Sequence, residues 1–339
     1  TVSPGNGFNV KHPYGTVRPE RELIDEIMKL VKEDPGELLK LGRDDASARE
    51  LERGVYIFKM DMVSSSTDLL PGMSLSQLAK KCVTANFSDI ASKGGRPVLF
   101  MSSVGLPRDL SDEDFLSIFR GFEEAMRKYG THLVGGDLGE SKEIVISGFA
   151  LGRVEVRLVG RGGAKPGDVL MTTGCFGLTW LGFKHLLEGL EIPERLKEDV
   201  LRAVYEPEAK VEEGIAISRY ASSTIDSSDG LYWSLRELSR ASGLGFLVED
   251  LPLDERVREY LECKEMDVIE ATFHGGEEYE IVFTVREDLV REVTEELELL
   301  NLEPLRIGRV IEHEGIYLRV GDGTLEVPEG GWEHFREVS

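Results

Sequence analysis

The sequence predicts an α+β protein built as two domains, and three observations carry that expectation. The chain has 339 residues, more than one ordinary core requires. Its first half repeats a strand–helix–strand rhythm in which pairs of strands follow closely on one another. Between the halves, the segment from Gly160 to Gly167 holds four glycines and a proline within eight residues, the composition of a linker. The expected division is an N-terminal arm over 1–17, a first domain over 18–157 and a second over 158–339.

The arm carries Gly, Pro and Asn without a sustained period. Pro19 then opens a helix with Leu23, Ile24, Ile27, Leu30 and Val31 on one face. After the turn from Gly42 to Ala46, Val55 to Met62 reads as a strand with Asp61 at its end. Ser74 or Ser76 caps a helix bearing Leu78, Cys82 and Val83, which passes through Asn86 and Asp89 and stops at Gly94-Gly95. Pro97 to Leu106 is apolar enough for a buried strand. The Ser111-Asp-Glu-Asp114 run starts a helix with Phe115, Ile118, Phe119, Phe122 and Met126 along it. Strands follow at His132–Gly135 and Glu143–Gly152.

The second half begins with a strand at Asp168–Thr173 and continues with helices near Leu178–Leu187, Glu194–Val204 and Glu208–Tyr220. A further helix follows Asp229-Gly230, a strand spans Tyr279–Val285, and a last helix runs from Glu287 to Leu300. Short strands complete the chain to about Leu325.

The formal charge of -23 argues against a nucleic-acid or anionic-membrane surface, either of which needs a basic stripe. It suits a protein that draws cations to an acidic cleft, although most of its 63 acids are solvated surface. The three cysteines, Cys82, Cys175 and Cys263, form no CxxC pair and read as small core residues. With no signal-like segment or long apolar run, a cytoplasmic location is expected. Gln77 is the only glutamine, and asparagine occurs only at Asn6, Asn9, Asn86 and Asn301, a scarcity of amides typical of hyperthermophile proteins.

The chemistry is concentrated in aspartates set beside glycine or serine. They are Asp44-Asp45, Asp61, Asp89, Asp137 and the Asp226-Ser227-Ser228-Asp229 run, spread over about 190 residues. Carboxylates on tight turns are what Mg2+ takes, together with waters and a substrate's phosphates. A nucleotide-using enzyme is therefore the first reading. In Ile225 to Leu231, Asp226 and Asp229 can face one cation while Ser228 donates to a phosphate near a helix N-terminus. The same residues also suit an N-cap with a turn aspartate.

Gly135-Gly136-Asp137 reads as a strand end open to a ligand, or as a common turn. Asn86, Ser88 and Asp89 put polar groups on a buried helix face and need partners there: a metal, a phosphate or another helix. The Gly275 to Glu280 segment sets three acids before an apolar strand. His274 beside it reads as structural. Neither a P-loop nor a GxGxxG after a first strand occurs.

The order of these segments resembles the thiamine-monophosphate kinase family. That family belongs to the superfamily of aminoimidazole ribonucleotide synthetase, selenophosphate synthetase and a hydrogenase maturation protein. The matching stretches are ERELID, RDDAS, KMDMV, STDLLPGMS, ANFSDIASKGGRP, SSVGLP, LVGGD, RGGAKPGD, IDSSDGL, GGEEYEIVFTV and GGWEHF. They run in family order from Glu20 to Phe335, and STDLLPGMS is similar to the archaeal branch.

The resemblance implies a two-domain aminoimidazole ribonucleotide synthetase-like fold whose N-terminal strands join a barrel at a homodimer interface. It implies ATP as co-substrate, several Mg2+ ions, and direct transfer of the γ-phosphoryl group to thiamine monophosphate. Carried over by position, Asp45, Asp61, Asp89, Asp137, Asp226 and Asp229 correspond to metal ligands, with Asp44 adjacent. Gly136, Asp137, Arg161 and Ser228 correspond to nucleotide contacts, and Asp68, Glu277 and Trp332 to positions facing the thiamine substrate. Asp226, Asp229 and Asp137 are the carboxylates expected to matter most to the transfer. Trp332 suits a cationic thiazolium or a pyrimidine, or the closing of a core.

The chain departs from the family at Arg43, where Gly is usual. Lys59-Met60 stands where many members have Thr-Thr, leaving only a backbone carbonyl at Met60 as a ligand. Leu138 replaces a frequent Thr and Glu278 a frequent Asp. A sister activity on another small acceptor is the nearest alternative. A non-catalytic nucleotide or metal sensor is the alternative of a different class. No cysteine precedes Cys82, which disfavours selenophosphate synthesis.

Overall fold

The computed structural model describes residues 37–39, 47–51 and 54–332, with 108 left aside. The expected arm, the helix from Pro19, Arg43, Asp44 and Asp45 lie outside these residues, as do the last residues of the GGWEHF stretch. The described strands and their helices belong to one compact unit.

The first half contains β1 (Glu37–Leu39), β2 (Ser47–Leu51), β3 (Gly54–Ser64), α1 (Leu75–Ser92), β4 (Gly95–Leu106), α2 (Asp112–Tyr129), β5 (Leu133–Glu140) and β6 (Val145–Val154). Its six strands form one sheet in the order β1-β2-β3-β6-β4-β5, antiparallel except for the β4–β5 pair. Strand alternation turns Ile57, Lys59, Asp61 and Val63 inward toward α1, and Met60 and Met62 outward. Helix α1 starts on a capping box: the Ser74 hydroxyl accepts from the Gln77 N–H, and the Gln77 side chain accepts from the Ser74 N–H. It ends where Gly94 takes a φ of +77°, and a Cβ there would strike Ser218 and the Arg157 carbonyl.

Two expected strand ends are corrected. Asp61 is followed by three more residues of β3, because β6 pairs with that strand through Ser64. Gly135-Gly136-Asp137 lies within β5, which β4 extends by parallel pairing from Met101 to Leu106. Among the described residues the sheet runs from β1 to β5 without closing on itself, so a barrel at a dimer interface would take strands from a second copy.

The second half opens with a single turn at Arg161–Gly163, then β7 (Val169–Thr172), α3 (Leu178–Glu188), α4 (Glu194–Tyr205), α5 (Val211–Ile217) and β8 (Ser223–Asp226). There follow α6 (Leu231–Ser242), β9 (Gly245–Val248), α7 (Glu255–Cys263), α8 (Val268–Phe273), β10 (Ile281–Val285), α9 (Val290–Glu298), β11 (Leu305–Ile311), β12 (Gly315–Val320) and β13 (Gly323–Glu326). Seven strands pair in the order β13-β12-β9-β11-β7-β10-β8, antiparallel except for β9–β12. Both faces are covered, so β7, β8, β9 and β10 are buried throughout; β7, β9 and β10 read as largely apolar runs, whereas β8 is Ser-Thr-Ile-Asp and ends on the site aspartate. On one face Leu170 and Val282 meet α6; on the other Met171, Phe283 and Val285 meet α5 and α9.

The expected helices over 208–220 and 287–300 are shorter than their apolar patterns. The first is confined to Val211–Ile217, and the second has a 3-10 turn at Glu287–Leu289 before α9. Cys82 is buried as expected, but Cys175 and Cys263 are exposed. Cys175 lies in the turn after β7 and Cys263 is the last residue of α7, so neither neighbouring apolar stretch carries its cysteine inward. No helix among the described residues is long and apolar enough to cross a membrane.

Helix α1 joins the two halves. Its Leu78, Cys82, Phe87 and Ile90 pack with Ile57, Phe100 and Ile146 of the first sheet in a core that also includes Val211 and Ile215 of α5. Across the same junction, the Lys93 ammonium donates to the Thr224 carbonyl at 2.9 Å, and the Thr224 hydroxyl donates to the Ser92 carbonyl.

Candidate active site

The polar residues of α1 find their partners at this junction. Asn86 is fully buried; its Oδ1 accepts from the Asp61 N–H at 3.1 Å and its Nδ2 donates to the Cys82 carbonyl at 2.9 Å. It thereby fixes the level of β3 against the helix. Two residues along, the Ser88 hydroxyl donates to Asp226 Oδ2 at 2.7 Å, joining α1 to the end of β8. Asp89 and Asp226 are both buried carboxylates.

The Lys59 side chain enters this group from β3. Its Nζ lies 2.5 Å from Asp89 Oδ2 and 3.2 Å from Asp61 Oδ2. Burial pushes the Asp89 carboxyl well above the usual range and the negative charge of Asp226 adds to it, while Lys59 opposes both. Burial alone would lower the Lys59 ammonium, but Asp89 and Asp61 hold it well above its ordinary value.

A second group lies near the start of the same helix. Lys81, 2% exposed, reaches Glu277 Oε1 at 2.6 Å and donates to the Asp68 backbone carbonyl at 3.3 Å. The Asp68 carboxylate accepts from the Ser64 N–H at 2.8 Å and from the Thr67 hydroxyl at 2.5 Å. Glu277 Oε2 is buried with no hydrogen-bond partner, and burial raises this carboxyl against the pull of Lys81. The loop carrying Glu277 is tied to the loop after β8: the Glu277 N–H donates to the Ser228 carbonyl at 2.6 Å, and the Tyr279 N–H to Ser227 at 2.9 Å. Glu277 and Tyr279 hold φ of +61° and +52°, so the double turn is strained for side-chain-bearing residues.

The structure thus brings Asp61, Asp89 and Asp226 together, and separately Asp68 and Glu277. Ser228 is exposed on the following turn. Trp332 donates its backbone N–H to the Asp229 carbonyl at 3.4 Å and is 53% exposed, so its ring does not close a core. Arg161 is held by Glu237 of α6, Nη1 to Oε2 at 3.3 Å.

Asp61 is in register with Gly148, Ser102 and then Gly136, which places Gly136 about 14 Å away by three inter-strand spacings. Asp137, one residue on, belongs to the opposite face of the sheet, in the row of Met62, Ser147 and Ser103. Met60 turns its side chain outward. Because the Asp61 N–H points away from β6 to Asn86, strand alternation turns the Met60 carbonyl toward β6. His274 is structural, with Nε2 3.0 Å from the Pro328 carbonyl.

Sequence reasoning missed Lys81, and noted Lys59 only as a departure without foreseeing its ion pairs. Lys81 follows Leu78 and precedes Cys82 on the buried side of α1, and a cation on such a face signals a buried counter-charge. Lys59 stands two residues before Asp61 in a strand, hence on the same face.

Among the described residues, no group of three or more carboxylate, histidine or cysteine side chains is gathered closely enough to hold a metal ion. Asp61, Asp89 and Asp226 offer the hard oxygens that Mg2+ prefers, but an ammonium stands among them. Their chemistry fits the ion; the space between Asp61 and Asp89 does not.

Residues 43–154 match the model of AIR synthase related protein, N-terminal domain. The chain is 35% identical over 295 residues to the thiamine-monophosphate kinase of Pyrococcus horikoshii, covering 86% of this chain and 90% of that one. A structure described as AaThiL complexed with AMPPCP and TMP superposes with a TM-score of 0.82 at 28% identity, over 93% of this chain and 97% of the other. The thiamine monophosphate kinase of Aquifex aeolicus gives a TM-score of 0.75 at 27% identity, over 88% and 96%. With motif order, fold and near full-length similarity in agreement, this chain belongs to the thiamine-monophosphate kinase family, within the AIR synthase-related proteins.

Proposed function

We propose that this protein transfers the γ-phosphoryl group of ATP directly to the phosphate of thiamine monophosphate, yielding thiamine diphosphate and ADP. An oxygen of the acceptor phosphate attacks the γ-phosphorus in line, and the bond to the β,γ-bridging oxygen breaks. Such a transfer depends on positioning and charge neutralisation and needs no nucleophilic side chain. The observation that carries this reading is the meeting of Asp61, Asp89 and Asp226 from β3, α1 and β8 at one junction of a fold shared with a relative bound to AMPPCP and TMP.

Mg2+, when bound, neutralises the charge of the transferring group. The rim of Asp61, Asp226 and Asp229 would hold it on this chain, joined by Asp44 and Asp45. Gly136, Arg161 and Ser228 serve the nucleotide. Asp68, Glu277 and the exposed ring of Trp332 serve the acceptor, whose cationic thiazolium suits an aromatic face and a buried carboxylate. Residues 18–157 and 158–339 are the two domains of this reading, in a cytoplasmic enzyme.

The outer face of the first sheet exposes Met60, Met62 and Met101, an apolar surface that a second copy would cover. Asp137 lies on that face, so a homodimer would bring it to the boundary between subunits.

The test is incubation with ATP, Mg2+ and thiamine monophosphate at elevated temperature, with chromatography of the products. Formation of thiamine diphosphate is expected. Its absence, with ATP binding intact by calorimetry, would replace the assignment by a nucleotide-binding role.

A further inference from the structure

We propose that the Lys59 ammonium is a resident cation of the active site, standing in the position a divalent ion would otherwise take between Asp61 and Asp89. The proposal rests on the phosphoryl-transfer reading above and deepens it: the chain binds fewer metal ions than its aspartates imply.

The geometry carries the argument. Lys59 and Asp61 share the inner face of β3, and the side chain of Lys59 is only 16% exposed. Its Nζ lies 2.5 Å from Asp89 Oδ2 and 3.2 Å from Asp61 Oδ2. A Mg2+ ion bridging the same two oxygens would need to lie about 2.1 Å from each, within the space of the ammonium itself. The two cations are therefore mutually exclusive.

The surroundings hold the lysine there. Asn86 fixes the backbone of Asp61, and Ser88 fixes Asp226 on the other side of Asp89. These bonds set the strand that carries Lys59 and Asp61 against the helix that carries Asp89, so the ammonium and its two carboxylates are presented to one another by a fixed frame. One ammonium also leaves three carboxylates short of neutral, so the rim still attracts the metal that accompanies a nucleotide. A covalently attached cation does not dissociate. The charge between Asp61 and Asp89 is then held independently of the metal concentration.

The test counts ions without using turnover. Mn2+ is titrated into the protein and into Lys59→Thr, and free ion is followed by electron paramagnetic resonance. The variant is expected to bind one additional Mn2+ per chain, at least about tenfold more tightly than any corresponding site in the parent. Adding Asp89→Asn to the variant should abolish that gain. Equal stoichiometry and affinity in parent and variant would overturn the proposal.

A second measurement needs no variant. Crystals of the unaltered protein grown with Mn2+ and a non-hydrolysable ATP analogue should show no anomalous scatterer between Asp61 and Asp89. A scatterer there with Lys59 displaced would overturn the proposal even if Lys59→Thr failed to fold. Absence of thiamine diphosphate in the kinase assay would refute the acceptor and leave both ion measurements standing.

Discussion

Replacing Glu278 by glutamine should change how stability depends on pH. The carboxyl is buried beside the acceptor-side loop, with Oε1 accepting from the Thr179 hydroxyl at 2.7 Å and Oε2 without a partner. Burial pushes it from an ordinary 4.5 up to about 7, against the hydrogen bonds it accepts. The folded protein therefore holds this proton more tightly than the unfolded chain. Its contribution is fully present below about pH 4.5 and is lost as pH rises through about 7, where the buried group must ionise. The span corresponds to about 3 kcal/mol. Glutamine keeps an acceptor for Thr179 and cannot ionise. Thermal melts of parent and Glu278→Gln from pH 4.5 to 8 should diverge, the variant gaining about 5 °C relative to the parent at the alkaline end. Parallel curves across that range would refute the reasoning.

Asp226→Asn should retain the fold, since an amide oxygen can still accept from Ser88, and should reduce the rate of thiamine diphosphate formation at least about tenfold; an unchanged kcat would remove Asp226 from the transfer. Lys81→Met leaves the buried Glu277 carboxylate without its cation and should cost about 3–5 kcal/mol in denaturant unfolding, with a raised KM for the acceptor. Gly148→Ala places a methyl group 2.6 Å from Asn86 Nδ2 and from the Phe100 ring, and should destabilise by about 1–3 kcal/mol while disturbing metal binding near Asp61. Light scattering should find Met62→Lys shifted from dimer toward monomer, because the charge falls in the middle of the exposed apolar face.

Much of the fold was legible because local chemistry and tertiary packing agree. Ser74 and Ser111 cap their helices as read, and Gly94 and Gly130 end them in the left-handed region. The polar run of α1 announced itself as a buried group in need of partners, and it has them. Other elements were hidden. Strand β5 contains three glycines and an exposed aspartate, and its pairing with β4 holds it extended. Strands β1 and β2 are too short and polar to show a period, and α7 and α8 lie in a charged stretch whose helices depend on the Asp254 and Asp267 caps. At the site, the carboxylates were visible as types, but their grouping depends on register. One residue along β5 separates Gly136 from Asp137, and with it the inner face from the outer. The ion pairs of Lys59 and Lys81 were hidden because a sequence displays charges without revealing which of them meet.

Helix α1 also constrains how ligands travel. It is bolted to one sheet through Asn86 and to the other through Ser88 and Ser92. A hinge that parted the two sheets would tear one set of these bonds and strip the aspartates of their alignment. Under the proposed function, ligand exchange would then fall to movements of the loops at the edge of this junction, with both sheets left in place. The enzyme so built exchanges its ligands at a doorway while its walls stay joined.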